Sequence, residues 1–145
     1  SQHYFVHGVA FPVIKLRLAY TLIKMKIRII SGNIEAFAEL RNTPTAEAIY
    51  DALPIEGAAN RWGDEIYFVI PVNMEAEQDA KVVVEAGDIA YWPEGSCFCI
   101  FFGKTPDSKG NEIRAASKVN VFGKIQDAKI FNKVKNGELI IVEKS

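Results

Sequence analysis

The chain has 145 residues, of which 49% are apolar and 24% are charged. These proportions are typical of one soluble globular domain and exclude a largely disordered chain. The formal net charge is −1, but the first five charged residues are all basic, and the 12 basic and 18 acidic residues that follow give the remainder a net charge of −6. An acidic body argues against a nucleic-acid-binding surface on the fold.

The first 24 residues, which precede Met25, differ from the rest. They are apolar, but Lys15 and Arg17 interrupt the run, so they do not resemble a membrane-spanning helix. They also lack the basic start and the small-residue cleavage site of a signal peptide. We expect residues 1–24 to be an extension outside the fold and residues 25–145 to form one cytoplasmic domain with no membrane contact. A basic amphipathic arm for a membrane surface or a partner is the alternative.

After Met25 the sequence has the pattern of short β-strands. Apolar and polar residues alternate on both sides of Gly32-Asn33, which predicts a hairpin formed by residues 26–31 and 34–40. The polar stretch 107–118 predicts a loop. Further strands are predicted within 57–72 (two, around Gly63-Asp64), within 81–106 (three), at 119–125 and at 138–144.

Two short helices interrupt these strands. Thr43 is a good N-cap and Pro44 fits the first helical position, and an apolar stripe at helical spacing runs from there to Leu53. The second helix is predicted to begin at Asp127 and to end at Gly137. Eight or nine strands with two short helices indicate a mainly β protein, an antiparallel barrel capped by helices.

Cys97 and Cys99 lie two residues apart on a predicted strand. Their side chains share one face about 6.5–7 Å apart, too far for an unstrained disulfide, so we expect two buried thiols in a reducing compartment. The two histidines, His3 and His7, precede Met25. Without a histidine in the domain, neither a zinc site, nor a catalytic triad, nor an activated thiol is predicted. We therefore expect no catalytic residue, no metal and no cofactor.

A Gly-Lys-Thr tripeptide at residues 103–105 resembles the end of a phosphate-binding loop. Such a loop needs another glycine where this chain has Phe98, and it must open into a helix, whereas Pro106 and a polar turn follow here. The run 97–102 is apolar on both faces, which predicts a strand covered on both sides, by the barrel interior and by a helix or long loop.

Three stretches, RWGDEIYF (61–68), GDIAYWPEGSCFCIFFGKTP (87–106) and ASKVNVFGKI (116–125), resemble a group of small archaeal and bacterial cyclophilin-like proteins of uncharacterised function. The resemblance covers residues 25 to about 143. It implies the cyclophilin fold, a closed eight-stranded β-barrel with helices at its ends.

True cyclophilins are prolyl isomerases, so the resemblance raises the question of that activity. Their catalytic arginine is followed by an aromatic-Met-Gln-Gly-Gly segment. Arg61 stands before aromatic residues in this chain, but no Gln-Gly-Gly or Phe-Met-Gln occurs anywhere. Isomerase activity is therefore not expected, and whether the protein is an enzyme stays open.

Eleven residues are candidates for ligand binding. Arg61 could bind a carboxylate or peptide carbonyl with Glu65 orienting it, or the two could form a surface ion pair. Trp62 and Tyr67 could line a groove or pack in the core. The other candidates lie near the expected barrel rim: Tyr91 and Trp92, as ligand walls or as a lid, Phe101, Thr105 and Pro106, and the polar Ser117 and Asn120, which could instead serve ordinary turn chemistry.

The sequence favours a module that binds a small molecule or an extended peptide at an aromatic-rimmed barrel mouth. A weak or atypical prolyl isomerase and an interaction subunit of a larger enzyme assembly are the alternatives. An isomerase predicts an arginine pointing into an apolar pocket, and an interaction subunit predicts a large exposed apolar patch. The oligomeric state is not predicted.

Overall fold

The computed structural model describes residues 24–145 in full, together with the backbone of residues 3–6 and 9–12. Strands β1 (His3–Val6) and β2 (Val9–Pro12) pair antiparallel as a separate two-stranded sheet. The predictions of a dispensable extension and of an amphipathic arm fall largely outside the described residues and stay predictions.

Ten strands within residues 24–145 form one antiparallel sheet, in the order β5-β12-β3-β4-β11-β9-β10-β7-β6, with β8 joined to β11. They are β3 (Lys26–Ser31), β4 (Ile34–Leu40), β5 (Ile55–Ala58), β6 (Asn60–Arg61), β7 (Glu65–Val69), β8 (Lys81–Val84), β9 (Asp88–Trp92), β10 (Cys97–Phe101), β11 (Ile113–Ile125) and β12 (Leu139–Lys144).

The two edges of the sheet come together, because the edge strands β5 and β6 follow each other directly in the chain. β5 and β6 are separated by Ala59, which is buried. Phe68 of β7 packs so closely on β5 that a Cβ atom at Gly57 would lie 2.9 Å from its ring. The two edges therefore meet by side-chain packing, and the hydrogen-bonded order of the described strands ends at them.

The mainly β, helix-capped fold predicted from the sequence is confirmed, with three differences in detail. The sheet has ten strands where eight were expected, and hydrogen bonds do not close it. Residues 113–118, predicted as loop, form the start of β11, because β8 supplies a partner for Ile113 and Arg114.

Helix α1 (Pro44–Ala52) lies where it was predicted, and the Thr43 hydroxyl accepts a hydrogen bond from the Ala46 N–H at 3.1 Å. The second helix is a 3-10 helix, Ala128–Lys133, which ends before the predicted Gly137. Gly137 does not cap this helix. Its N–H donates a hydrogen bond of 2.7 Å to the carbonyl of Ala59, between β5 and β6. No helix within residues 24–145 has both the length and the apolar character to cross a membrane.

Strands β9 and β10 bury both of their faces, apart from the half-buried Trp92 at the end of β9. Residues such as Phe68, Tyr91 and Phe98 point into the main core. Cys99 and Phe101 point the other way, into a second apolar cluster. The run 97–102 is covered on both sides as expected, but the outer cover is the first part of strand β11 and not a helix or a long loop.

Candidate ligand-binding site

A pocket of about 230 Å³ opens on the outer face of β7 and β9, on the side opposite to the main core. Small side chains in the cluster beside it, including Ala90 and Cys99, leave this space. The pocket therefore lies outside the barrel and not at its mouth. Its lining residues are Trp62, Glu65, Tyr67, Trp92, Ala115, Ala116 and Val119.

Glu65 is the acidic residue of the pocket, and its side chain is only 5% exposed although the three aromatic residues around it are half-buried. Burial raises the pKa of the Glu65 carboxyl to about 7, and a hydrogen bond with the Cys99 thiol offsets part of this rise. Near neutral pH, both the protonated and the ionised form of this carboxyl are therefore populated. In its neutral form it can donate a hydrogen bond, and in its ionised form it attracts a cation.

A tight turn places Trp62 and Glu65 side by side. Their backbones exchange two hydrogen bonds of 2.9 and 3.2 Å. Gly63 has φ +61, and a Cβ atom there would lie 2.8 Å from the Lys104 carbonyl oxygen, so the turn requires glycine. The Asp64 N–H donates to this same carbonyl at 2.9 Å. The Gly-Lys-Thr tripeptide therefore packs against the turn at residues 62–65 and accepts a hydrogen bond from it.

Trp92 is held in place by a hydrogen bond and by a close backbone contact. Its Nε1–H donates to the Ser117 hydroxyl at 2.6 Å. Its ring lies against Gly95, where a Cβ atom would come within 2.5 Å of the ring carbons. Ser117 belongs to the irregular part of β11, where the register with β8 shifts. Ser117 does not line the pocket, and its structural role is to position Trp92.

The structure brings together four of the eleven predicted residues, namely Trp62, Glu65, Tyr67 and Trp92. Sequence reasoning missed the wall formed by Ala115, Ala116 and Val119. Ala115 and Ala116 lie in a stretch predicted as loop and Val119 begins a predicted strand, and small apolar residues in such places carry no signal of a site, so only the position of β11 in the fold could have identified them.

The predicted partnership of Arg61 with Glu65 is wrong. Arg61 pairs with Ile66 in the ladder between β6 and β7, so the two share the face opposite to Glu65. Its guanidinium donates to the carbonyl oxygens of Asn132 and Val134 at 3.1 and 3.0 Å, and it lies 5.0 Å from the centre of the Phe102 ring. Arg61 ties β6 to the end of the 3-10 helix and the residue that follows it, and its ion-pair partner is Asp64, at 3.4 Å.

Tyr91 and Asn120 also lie away from the pocket. Tyr91 is fully buried in the main core, where its hydroxyl donates to the Val72 carbonyl at 2.6 Å. Asn120 accepts a hydrogen bond from the Glu77 N–H at 2.8 Å and donates to the Thr45 hydroxyl at 3.1 Å. These bonds attach a loop and helix α1 to β11, so both residues have structural partners.

The other three predicted residues surround the site without lining it. Phe101 is buried in the cluster beneath the pocket. The Thr105 hydroxyl donates to the Arg114 carbonyl, which joins the tripeptide to β11. Pro106 is exposed and packs against the pocket turn at Gly63.

A second concavity, a surface groove of about 670 Å³, runs along β4 and the end of β11. Phe37, 55% exposed, lies in it between charged side chains such as Lys26 and Glu39. The groove contains none of the predicted site residues. No cluster of three or more histidine, cysteine or acidic residues suited to a metal occurs within residues 24–145.

Residues 25–143 match the family model described as Cyclophilin-like. The chain belongs to the cyclophilin-like family. It is similar to a hypothetical protein from Archaeoglobus fulgidus whose solution structure is known, with 46% sequence identity and a TM-score of 0.73. The similarity covers 85% of this chain and 96% of the archaeal protein. No curated protein matches the chain at a significant level.

Proposed function

We propose that this cyclophilin-like protein binds a small molecule, or one side chain of an extended peptide, in the outer-face pocket. The observation that carries the proposal is the meeting of Trp62, Tyr67 and Trp92 around the buried carboxyl of Glu65. Apolar walls with a few convergent polar groups are typical of small-molecule sites. The volume of about 230 Å³ favours a compact ligand or a single inserted group.

The placement of Arg61 favours binding over the isomerase alternative. Prolyl isomerisation requires a donor against the amide as it loses resonance. The Arg61 guanidinium is engaged by the carbonyls of Asn132 and Val134 and lies on the face opposite to the pocket acid. The interaction-subunit alternative has weaker support, because the large exposed apolar side chains of residues 24–145 lie on four different strands: Phe37, Val69, Val83 and Leu139.

We also propose that the protein works in the cytoplasm. Cys97 and Cys99 are free and buried, as expected for a reducing compartment.

Intrinsic fluorescence tests the binding proposal, because the chain has two tryptophans and both line the pocket. We would titrate phenol, indole, cyclohexylamine and a blocked Ala-Pro dipeptide, following Trp emission and, for indole, the protein NMR signals. At least one probe should bind saturably and shift the signals of the pocket residues. Ala116→Leu, which places a larger side chain in the pocket wall, should abolish this binding.

Lys118→Leu is the matched control, since Lys118 is exposed in the same segment and does not line the pocket. The absence of saturable binding by every probe, or binding that survives Ala116→Leu unchanged, would contradict the proposal. Accelerated cis–trans exchange of the dipeptide that Arg61→Ala removes would favour the isomerase alternative.

A further inference from the structure

The chemistry of the pocket walls indicates which ligand class fits. Three of the seven lining residues are aromatic and one is an acid. The Nε1–H of Trp92 is already bound to Ser117, so Trp92 offers a ligand its ring and not its donor. Aromatic rings attract cations through their negative faces, and tryptophan does so most strongly.

Glu65 lacks a counter-charge in the described part of the chain. Its neighbours on β10 are neutral, since Phe101 lies opposite it in the ladder and burial raises the pKa of the Cys97 and Cys99 thiols. Tyr67 on β7, Trp92 on β9 and the wall formed by Ala115, Ala116 and Val119 on β11 carry no positive charge. The ion pairs formed by residues 24–145 do not include Glu65.

We propose that the pocket binds an organic cation, a compact alkylammonium group held between the rings of Trp62, Tyr67 and Trp92 and paired with the Glu65 carboxylate. This inference rests on the proposed function and names its ligand class. A cation supplies the missing counter-charge and also uses the ring faces. A neutral apolar ligand would fill the space but leave the carboxylate without a counter-charge, and an anion would be repelled by it.

Proton linkage gives the proposal a second observable. The Glu65 carboxyl, whose pKa burial raises to about 7, must ionise to pair with the cation. Cation binding should therefore release a proton near neutral pH, and the affinity should increase between pH 6 and pH 8. The thiols of Cys97 and Cys99 stay protonated in this range because their pKa values are raised.

Choline and 3,3-dimethyl-1-butanol form the decisive ligand pair, because they differ by a quaternary nitrogen in place of a carbon atom. We would titrate the full chain with each at pH 8, following tryptophan fluorescence. Choline should bind at least tenfold more tightly than the alcohol. Glu65→Gln should remove this difference, and Glu56→Gln, which deletes an exposed acid on β5, should preserve it. The ligand pair tests the wild-type chain even if Glu65→Gln does not fold.

The outcomes separate the two proposals. If the alcohol binds as tightly as choline, the cation inference is wrong and the proposed binding function stands. If neither compound binds but phenol, indole or the dipeptide does, the cation inference is again wrong. If no probe binds, both proposals fail. A choline preference that persists in folded Glu65→Gln, or that does not change between pH 6 and pH 8, would overturn the assigned role of Glu65.

Discussion

The two faces of β7 and β10 differ in what their side chains do. On the inner face, the rings of Phe68 and Phe98 stack at 5.1 Å, and Phe98 meets Phe122 edge to face, also at 5.1 Å. On the outer face, the same two strands present Glu65 and Cys99, whose smaller or polar side chains stand beside a pocket. The inner face is packed with large rings, whereas the outer face keeps open space.

The difference shows how one strand can stabilise the fold with one face and, in the proposed function, bind a ligand with the other. Successive side chains of a strand point to opposite faces, so each residue serves one face only. Large rings buried inside each contribute a few kcal/mol. The buried carboxyl of Glu65 costs folding free energy when it ionises. The inner face can compensate for this cost, so the outer face is free to hold a polar group in an apolar site.

Truncation of an inner ring should have the largest effect. Phe98→Ala removes a fully buried ring from between Phe68 and Phe122. We expect the free energy of unfolding to fall by about 3–5 kcal/mol, because the lost burial is combined with a cavity. Denaturant titration followed by circular dichroism measures this change.

Cys99→Ala is the comparison variant on the outer face of the same strand. It removes a buried but much smaller side chain, and we expect a loss of about 1 kcal/mol. If both variants lose the same free energy, the contrast between a packed inner face and an open outer face is wrong.

Local residue patterns predicted most strands and the first helix correctly. The hairpin around Gly32-Asn33 and the helix after Thr43 follow from local signals, namely alternation, a turn glycine and an N-cap. The positions of Glu65 and Tyr67 on one face follow from the two-residue period of a strand. For this reason the sequence could bring part of the site together.

The features that the sequence did not predict depend on how strands distant in the chain pair with each other. Arg61 and Glu65 flank the same turn, but the pairing of Arg61 with Ile66 sends them to opposite faces. Residues 113–118 read as loop because the strand there depends on its partner β8. The sequence predicted a pocket at the barrel mouth. The pocket instead lies on the outer face of the sheet, because the first part of β11 covers that face and forms one wall of the pocket.

The pH dependence of stability tests the cost of the outer-face carboxyl. The folded-state pKa of Glu65, about 7, lies above the ordinary value of 4.5. Between these values the folded state binds more protons than the unfolded state, so the free energy of unfolding should fall as the pH rises from 4.5 to 7 and level off above that. A shift of this size corresponds to about 3 kcal/mol.

The measurement compares wild type with Glu65→Gln by denaturant titration from pH 4 to pH 8. The difference between the two chains cancels the titration of other groups, including His3 and His7. Glu65→Gln should gain stability relative to wild type as the pH increases. A constant difference across this range would show that the carboxyl ionises at its ordinary pKa and that the outer face carries no such cost.

The smallest expected effect concerns the fixing of one pocket wall. Ser117→Ala removes the hydroxyl that accepts the 2.6 Å hydrogen bond from the Trp92 Nε1–H. We expect the free energy of unfolding to fall by about 1 kcal/mol, the typical value for one such bond. Binding should weaken by a few-fold because the ring must then be ordered by the ligand. The Trp92 indole N–H signal should also shift, while Lys118→Ala, in the same segment, should leave all three observables unchanged. The Trp92 N–H signal and the affinity could both be the same in Ser117→Ala as in wild type. In that case Gly95 and the surrounding walls hold Trp92 by packing alone, and the outer face is more rigid than the open pocket suggests.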